Sequence, residues 1–334
     1  MKILAFSPFE SDAFGGNVVT LNRIRRGLSA RGHRFEIVRV SREFHGNPDV
    51  LLFYHAYKTG RFLLDLDGFP SVVVLSGTDL NRDFEDPARR PILEQVLRRA
   101  DRLVTYNSSL YERIRTVLPE VLGKLHVIPK GVELGQDPFD LRAAAGVGER
   151  ETLFFLAGGI RPVKNNLFAI EMLSDVPNVR LVLAGPILDP EYGEKVRRRI
   201  AQAPWARHLE RIPHSAMGSA HGAADVVLNT SRSEGISNVL MEAMAAGRAV
   251  LASDIPGNRD LIEDGKTGVL YRETEFRETA RRLAFDREWR ETLGRVAQER
   301  AKREFSVDRE IDSYEKVFNA LGRREASSPD RPRS

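Results

Sequence analysis

Cysteine is absent from this 334-residue chain. That excludes a disulfide framework, a thiol nucleophile and any thiolate-held metal. It fits a reducing compartment, and a cytoplasmic location is the expectation. Long apolar runs are missing too. Runs such as Val50–Tyr54 fall far short of the roughly 20 residues that cross a bilayer. The N-terminus, MKILAFSPFESDAFGG, has one Lys, no extended apolar core and no small-residue cleavage site, so it reads as a first strand and not a signal peptide. Nor is there much excess charge. Lys plus Arg number 51 and Asp plus Glu 47, a net +4, and half of it sits in a polar tail, Gly322 to Ser334, with four Arg against Glu325 and Asp330. A nucleic-acid binder would show a clustered basic footprint, and none is expected here. The seven histidines form no metal set. His208, His214 and His221 lack a ligand-pair spacing such as H-x3-H, and each reads as a surface or internally satisfied side chain. Asp65-Leu66-Asp67 spells D-x-D but falls in a turn before Gly68 and Pro70. Gly265-Lys266-Thr267 has Asp260 where a P-loop needs glycine. No metal and no cofactor is expected.

What is present is alternation. The length fits about two domains of ~150 residues. Short β-rich runs alternate with helix-period runs, the pattern of parallel sheets with crossover helices. The predicted strands are Lys2–Phe6, Phe35–Val40, Val50–Tyr54, Ser71–Leu75, Leu103–Tyr106 and Leu125–Ile128. After a Gly-, Asp- and Ala-rich linker around Pro129–Gly148 come Leu153–Ala157, Val179–Ala184, Asp225–Leu228 and Ala249–Ala252. Two or three helices close the chain from about Glu275 to Leu321. The expected domains are 1–135 and 136–305, with 322–334 a disordered tail. Two doubly wound α/β halves would face each other across a cleft lined by strand C-terminal ends, where open α/β sheets bind ligands.

Three segments carry chemistry. In LNTSRSEGISNVLMEAMAA, Leu228–Ala246, a strand ends near Leu228, a polar loop follows, and Ser237 is placed to cap a helix. The first turn of that helix, Ile236 to Val239, offers free N–H groups to an anion such as phosphate. Glu234 and Glu242, with seven residues between them, suit hydroxyls better than a phosphate that would repel them; the plainer alternative is a dipole-favoured Glu234 and a solvated Glu242. In LFFLAGGIRPVKNN, Leu153–Asn166, a strand runs into Gly158-Gly159, and Arg161 and Lys164 could neutralise a diphosphate through charge-assisted hydrogen bonds; a βα turn with two surface cations is the bland version. Third, Phe14-Gly15-Gly16-Asn17 follows the first strand, where glycine lets backbone approach a ligand. A dinucleotide site would need G-x-G-x-x-G and an acid after the second strand. Ser41 and Arg42 stand there instead, so the oxidoreductase version fails.

The run SEGISNVLMEAMAAGRAVLASDIPGNRDLIEDGKTGVLY resembles the C-terminal half of retaining glycosyltransferases of family four, the group-one type with the GT-B fold. The match includes the Glu-x7-Glu of Glu234 and Glu242, the Gly-Gly loop, Pro129-Lys130-Gly131-Val132-Glu133, the Arg161/Lys164 pair and the closing Phe305-Ser306 helix. With LSGTDLNRD, IRPVKNN and DIPGN, the chain is most similar to the short glycosyltransferase-one-domain-containing branch. The resemblance implies two Rossmann-like domains, with the last helix, about 306–321, crossing back onto the first. It implies that Glu242 binds the nucleotide ribose and Glu234 the donor sugar. Gly235, Ile236, Ser237 and Asn238 would offer backbone N–H groups, Arg161 and Lys164 would neutralise the leaving diphosphate, and Gly16 would lie against the donor. Backbone at Arg211-Ile212 would contact the base. Glu234, Arg161 and Lys164 are thus the catalytic candidates. Where the family often carries a histidine after an N-terminal strand, this chain reads Ser76-Gly77-Thr78-Asp79-Leu80, so Thr78, Asp79 or His55 is the counterpart on the acceptor side, together with Asn17.

The expected activity is transfer of a sugar from a UDP- or GDP-sugar to an acceptor, retaining and metal-independent. The alternatives are a nucleotide-sugar epimerase of the same fold, a selenosugar-synthase-like transferase and a non-catalytic nucleotide-sugar sensor. The expected partners are the donor and one acceptor, without nucleic acid. Arg23, Arg25, Arg26 and Arg31 form a basic helix face for which contact with anionic lipid is the lesser reading and a solvated face the greater.

Overall fold

A computed structural model describes residues 1–8, 16–39 and 46–322. The expected tail beyond Gly322, the Phe14-Gly15 turn and Ser41-Arg42 lie outside the described residues. The chain divides into two compact units, Met1–Gly131 with Ser306–Ser334, and Val132–Phe305. The first division falls at Gly131/Val132, a few residues before the expected 135/136.

The N-terminal unit is built on β1 (Lys2–Ser7), β2 (Arg34–Arg39), β3 (Val50–Tyr54), β4 (Ser71–Leu75), β5 (Arg102–Thr105) and β6 (Leu125–Val127), in the order β2-β1-β3-β4-β5-β6. Every pairing is parallel. β3 and β4 are buried along their whole length, as strands covered on both faces must be. The helix Val307–Gly322 belongs to this unit. It is fastened by Glu310, which accepts two hydrogen bonds from Arg23 (2.7 and 3.0 Å), and by a 2.6 Å contact between the Tyr106 and Tyr314 hydroxyls. Arg31 bonds Asp312 and Glu315 of the same helix. Arg23 is buried, so the supposed basic face is not one surface: two of its four guanidinium groups are engaged by helix Val307–Gly322.

The C-terminal unit repeats the plan with β7 (Thr152–Ala157), β8 (Val179–Ala184), β9 (Ala206–Leu209), β10 (Val226–Asn229), β11 (Ala249–Ser253) and β12 (Val269–Tyr271). The order is β12-β11-β10-β7-β8-β9, again all parallel. β9 and β12 are additions to the expected set. They are short edge strands, only partly buried: β9 mixes Arg207 and His208 with its apolar residues, and β12 is three residues long. The presumed linker also holds a short helix, Leu141–Ala145, capped by Asp140. The order of strands reverses between β7 and β10, which are paired neighbours although β8 and β9 intervene in the chain. Loops leaving the C-terminal ends of those two strands therefore flank the crevice where such sheets take ligands.

Candidate functional site

Both loops at this switch point carry predicted residues. After β7 the chain turns at Gly158, whose φ of +136° suits a residue without Cβ. It then runs through Arg161 and Lys164 to the helix Asn166–Met172. After β10 comes the loop Thr230–Ser237, then the helix Asn238–Ala245. The loops are tied together: Thr230 Oγ1 donates to the Lys164 carbonyl (2.8 Å), and the Arg232 backbone N–H donates to the Val163 carbonyl (2.9 Å). These two bonds fix the loops in one register.

Across that register Lys164 Nζ meets Glu234 Oε1 at 2.5 Å. The same oxygen accepts from Ser231 Oγ (2.6 Å) and, more weakly, from Asn229 Nδ2 (3.5 Å). Burial pushes the Glu234 carboxyl up, but the Lys164 ammonium and these donors outweigh it and hold the carboxyl below the usual range. Lys164 is thus paired within the protein, with a partner that its place beside Arg161 in the sequence does not reveal. Its partner lies 70 residues away in the chain. Arg161 is exposed.

Ser237 caps the helix Asn238–Ala245, its Oγ accepting from the Leu240 N–H at 3.4 Å and from Asn229 Nδ2 at 3.0 Å. Gly235, Ile236 and Asn238 are half-buried along this turn. A second layer supports the loop. Ser253 Oγ donates to the Ser231 carbonyl (2.6 Å), and Asn258 Nδ2 donates to the Ser253 carbonyl (2.9 Å). A Cβ at Gly257 would stand 2.6 Å from the carbonyl oxygens of Glu234 and Gly235, so the Ile-Pro-Gly-Asn turn presses its backbone directly on the loop. Reasoning from the sequence misses that support, although the Gly-Asn pair is its signal.

Glu242 is buried, which excludes the solvated alternative. Its Oε2 lies 3.2 Å from His221 Nε2, and His221 is fully buried. The signal for that burial is Met217, Ala220, His221 and Ala224 at i, i+3, i+4 and i+7, one helix face. Ile212, the candidate base contact, has its side chain in the core of the unit; only its backbone could serve a ligand.

In the N-terminal unit the order of strands reverses between β1 and β3. Gly16 and Asn17 begin the helix Gly16–Ala30 that follows β1, and His55 directly follows β3. His55 has φ +94°, a strained backbone of the kind that accumulates at functional sites. Its Nδ1 accepts from the Lys58 N–H (3.2 Å) and its Nε2 is 3.1 Å from the exposed Thr78 hydroxyl. Burial pushes the imidazole below its ordinary value, against the pull of Asp79 and Asp83. Asp79 is fully buried, and its carboxylate accepts from the N–H groups of Ala56, Ser76, Gly77 and Leu80. It holds the turn that presents Thr78.

Two doubly wound parallel sheets in one chain place it in the GT-B fold class. Residues 139–300 match the family model described as glycosyl transferases group 1, so this part of the chain carries a glycosyltransferase domain of that group. It is similar over nearly its whole length to Glycosyltransferase 1 domain-containing protein 1 of Xenopus tropicalis, with 28% identity across 95% of this chain and 97% of that one. A D-inositol 3-phosphate glycosyltransferase of Kribbella flavida is 30% identical over 203 residues, 56% of this chain and 48% of its own length, so the match spans about half of that relative. Among solved structures, sucrose-phosphate synthase from Thermosynechococcus elongatus superposes with a TM-score of 0.81 at 16% identity, covering 97% of this chain and 98% of that one. Anabaena HepE in complex with UDP and glucose gives 0.75 at 18% identity, covering 98% and 100%. No helix among the described residues is long and apolar enough to cross a membrane.

Proposed function

We propose that this glycosyltransferase is retaining and metal-independent, and that it takes a nucleoside-diphosphate sugar, with uridine as the base to test first. The observation that carries the reading is the Lys164–Glu234 pair beside the Ser237-capped helix at the switch point of the second sheet. An ammonium, a set of N–H groups and a carboxylate on two loops tied together match the three parts of such a donor at its reacting end: diphosphate, leaving oxygen and sugar hydroxyls. HepE, of the same fold, is described in complex with UDP-glucose, which supports this choice of donor.

In this reading the incoming diphosphate draws Lys164 from Glu234, and Glu234 then accepts from sugar hydroxyls. The bond from the anomeric carbon to phosphate breaks, the acceptor oxygen bonds that carbon on the same face, and the acceptor proton passes to the departing diphosphate. The protein acts mainly by stabilising charge on the leaving group through Lys164, Arg161 and the N–H groups of the helix start. Glu242 holds the ribose. Acceptor recognition is assigned to the N-terminal unit, with Asn17 and Thr78 as its residues; His55 is fully buried and acts through the Thr78 hydroxyl.

The test begins with thermal shifts over UDP-, GDP- and ADP-sugars, each with and without EDTA. A bound donor at a hundredfold excess over its Kd should add about 2.7 kcal/mol of stability, and EDTA should leave the shift unchanged. With the matched donor, Lys164→Ala should lower kcat about 10²–10³-fold, and the product should keep the donor's anomeric configuration by NMR. An inverted product, or a shift abolished by EDTA, would refute the retaining or the metal-independent part respectively.

A further inference from the structure

His221 is the polar residue of this unit that the reading above leaves without a task. It lies on the short helix Met217–Ala223, packed against the helix that carries Glu242. Its ring is fully buried and meets Phe155 edge-on at 5.3 Å between centroids. The surrounding cluster is otherwise apolar and includes Leu240, Met241 and Met244. In this setting the imidazole makes one side-chain hydrogen bond, from Nε2 to Glu242 Oε2 at 3.2 Å, while Nδ1 has no partner among the described residues. For packing alone an apolar side chain would serve better, because an unsatisfied buried nitrogen carries a desolvation cost. What offsets that cost is the bond to the carboxylate, which is itself almost buried, with 9% of its side chain exposed.

We propose that His221 is a positioning residue for Glu242. By donating from Nε2 it pins Oε2 and fixes the plane of the carboxylate, so that Oε1 is presented to the nucleotide's ribose diol in one orientation. This rests on the assignment of Glu242 to the ribose. The effect is on donor affinity and not on turnover, because the ribose is remote from the bond that breaks and its contacts are the same in ground and transition states.

The experiment compares two amides. His221→Gln places its amide where Nε2 stood and keeps the donor to Glu242; His221→Asn mimics the other ring nitrogen and cannot reach. Binding of UDP and of 2′,3′-dideoxy-UDP is measured by calorimetry on the full chain, with Glu242→Ala as the reference. His221→Asn should lose about tenfold to a hundredfold in UDP affinity, the range for a hydrogen bond to a charged group, and nothing further on the dideoxy nucleotide. His221→Gln should stay within a few-fold of wild type on both. Equal losses on the two nucleotides, no loss in His221→Asn, or a loss shared by both amides would overturn the proposal. If His221→Asn does not fold, His221→Gln decides alone: retained discrimination between the nucleotides supports it and lost discrimination overturns it. If Glu242→Ala still discriminates as wild type does, the ribose assignment itself falls, an outcome separate from any result at position 221.

Discussion

The two units bury ion pairs to different ends. In the N-terminal unit Glu310 is fully buried and closed on Arg23 by two hydrogen bonds. Burial lowers the Arg23 pKa, but the Glu310 carboxylate more than restores it, and the guanidinium is held above its ordinary value. In the C-terminal unit Lys164 and Glu234 keep 16% and 14% of their side chains exposed and sit on loops at a switch point. A pair sealed from water fixes one chain segment to another, here the helix Val307–Gly322. A pair within reach of solvent can exchange partners when a charged ligand arrives. Each pair sets a carboxylate against a cation, but one joins two helices away from water and the other joins two loops within its reach.

That contrast can be broken most severely at Arg23. Arg23→Ala leaves a buried carboxylate alone and should cost about 3–5 kcal/mol in urea unfolding, whereas Arg23→Met with Glu310→Leu together should recover most of the loss. A double variant as unstable as the single one would show that the pair is not the fastener. The next effect is at Gly257→Ala, whose Cβ would collide with the Glu234 and Gly235 carbonyls. Overpacking of this kind costs about 1–3 kcal/mol, and titration with UDP should show weakened binding; full affinity would mean that the loop's position does not matter. Ser237→Ala removes a helix cap worth about 1 kcal/mol, to be read as a lowered melting temperature.

The smallest effect is one of pH. Because Lys164 and its neighbours depress the folded Glu234 pKa, the stabilisation is complete above the unfolded carboxyl's value of about 4.3 and is lost as pH falls through the lower folded value. The stability difference between wild type and Glu234→Gln should therefore be flat near neutrality and move in the variant's favour in acid. A difference that stayed flat down to about pH 3, well below that unfolded value, would remove Lys164 as the cause.

Much was legible from residues that act locally. Continuous apolar runs marked β3, β4, β7 and β8, because a parallel strand is covered on both faces. Ser237 declared its helix start through its own side chain, and the two glutamates stood out through their resemblance to the family's Glu-x7-Glu. The edge strands β9 and β12 were not legible, since Arg207 and His208 interrupt β9 and β12 is only three residues long. Nor was the partner of Lys164, of Arg23 or of Glu242, at separations of 70, 287 and 21 residues.

Composition and local pattern thus settled an alternating α/β chain with two sheets and a glycosyltransferase signature in its second half, because strand, helix and cap are written within a few residues of one another. Which charges are sealed and which face solvent, and that a histidine lies behind Glu242, came only with the folded chain. Those contacts depend on where distant segments return in space, and residue spacing does not encode that return.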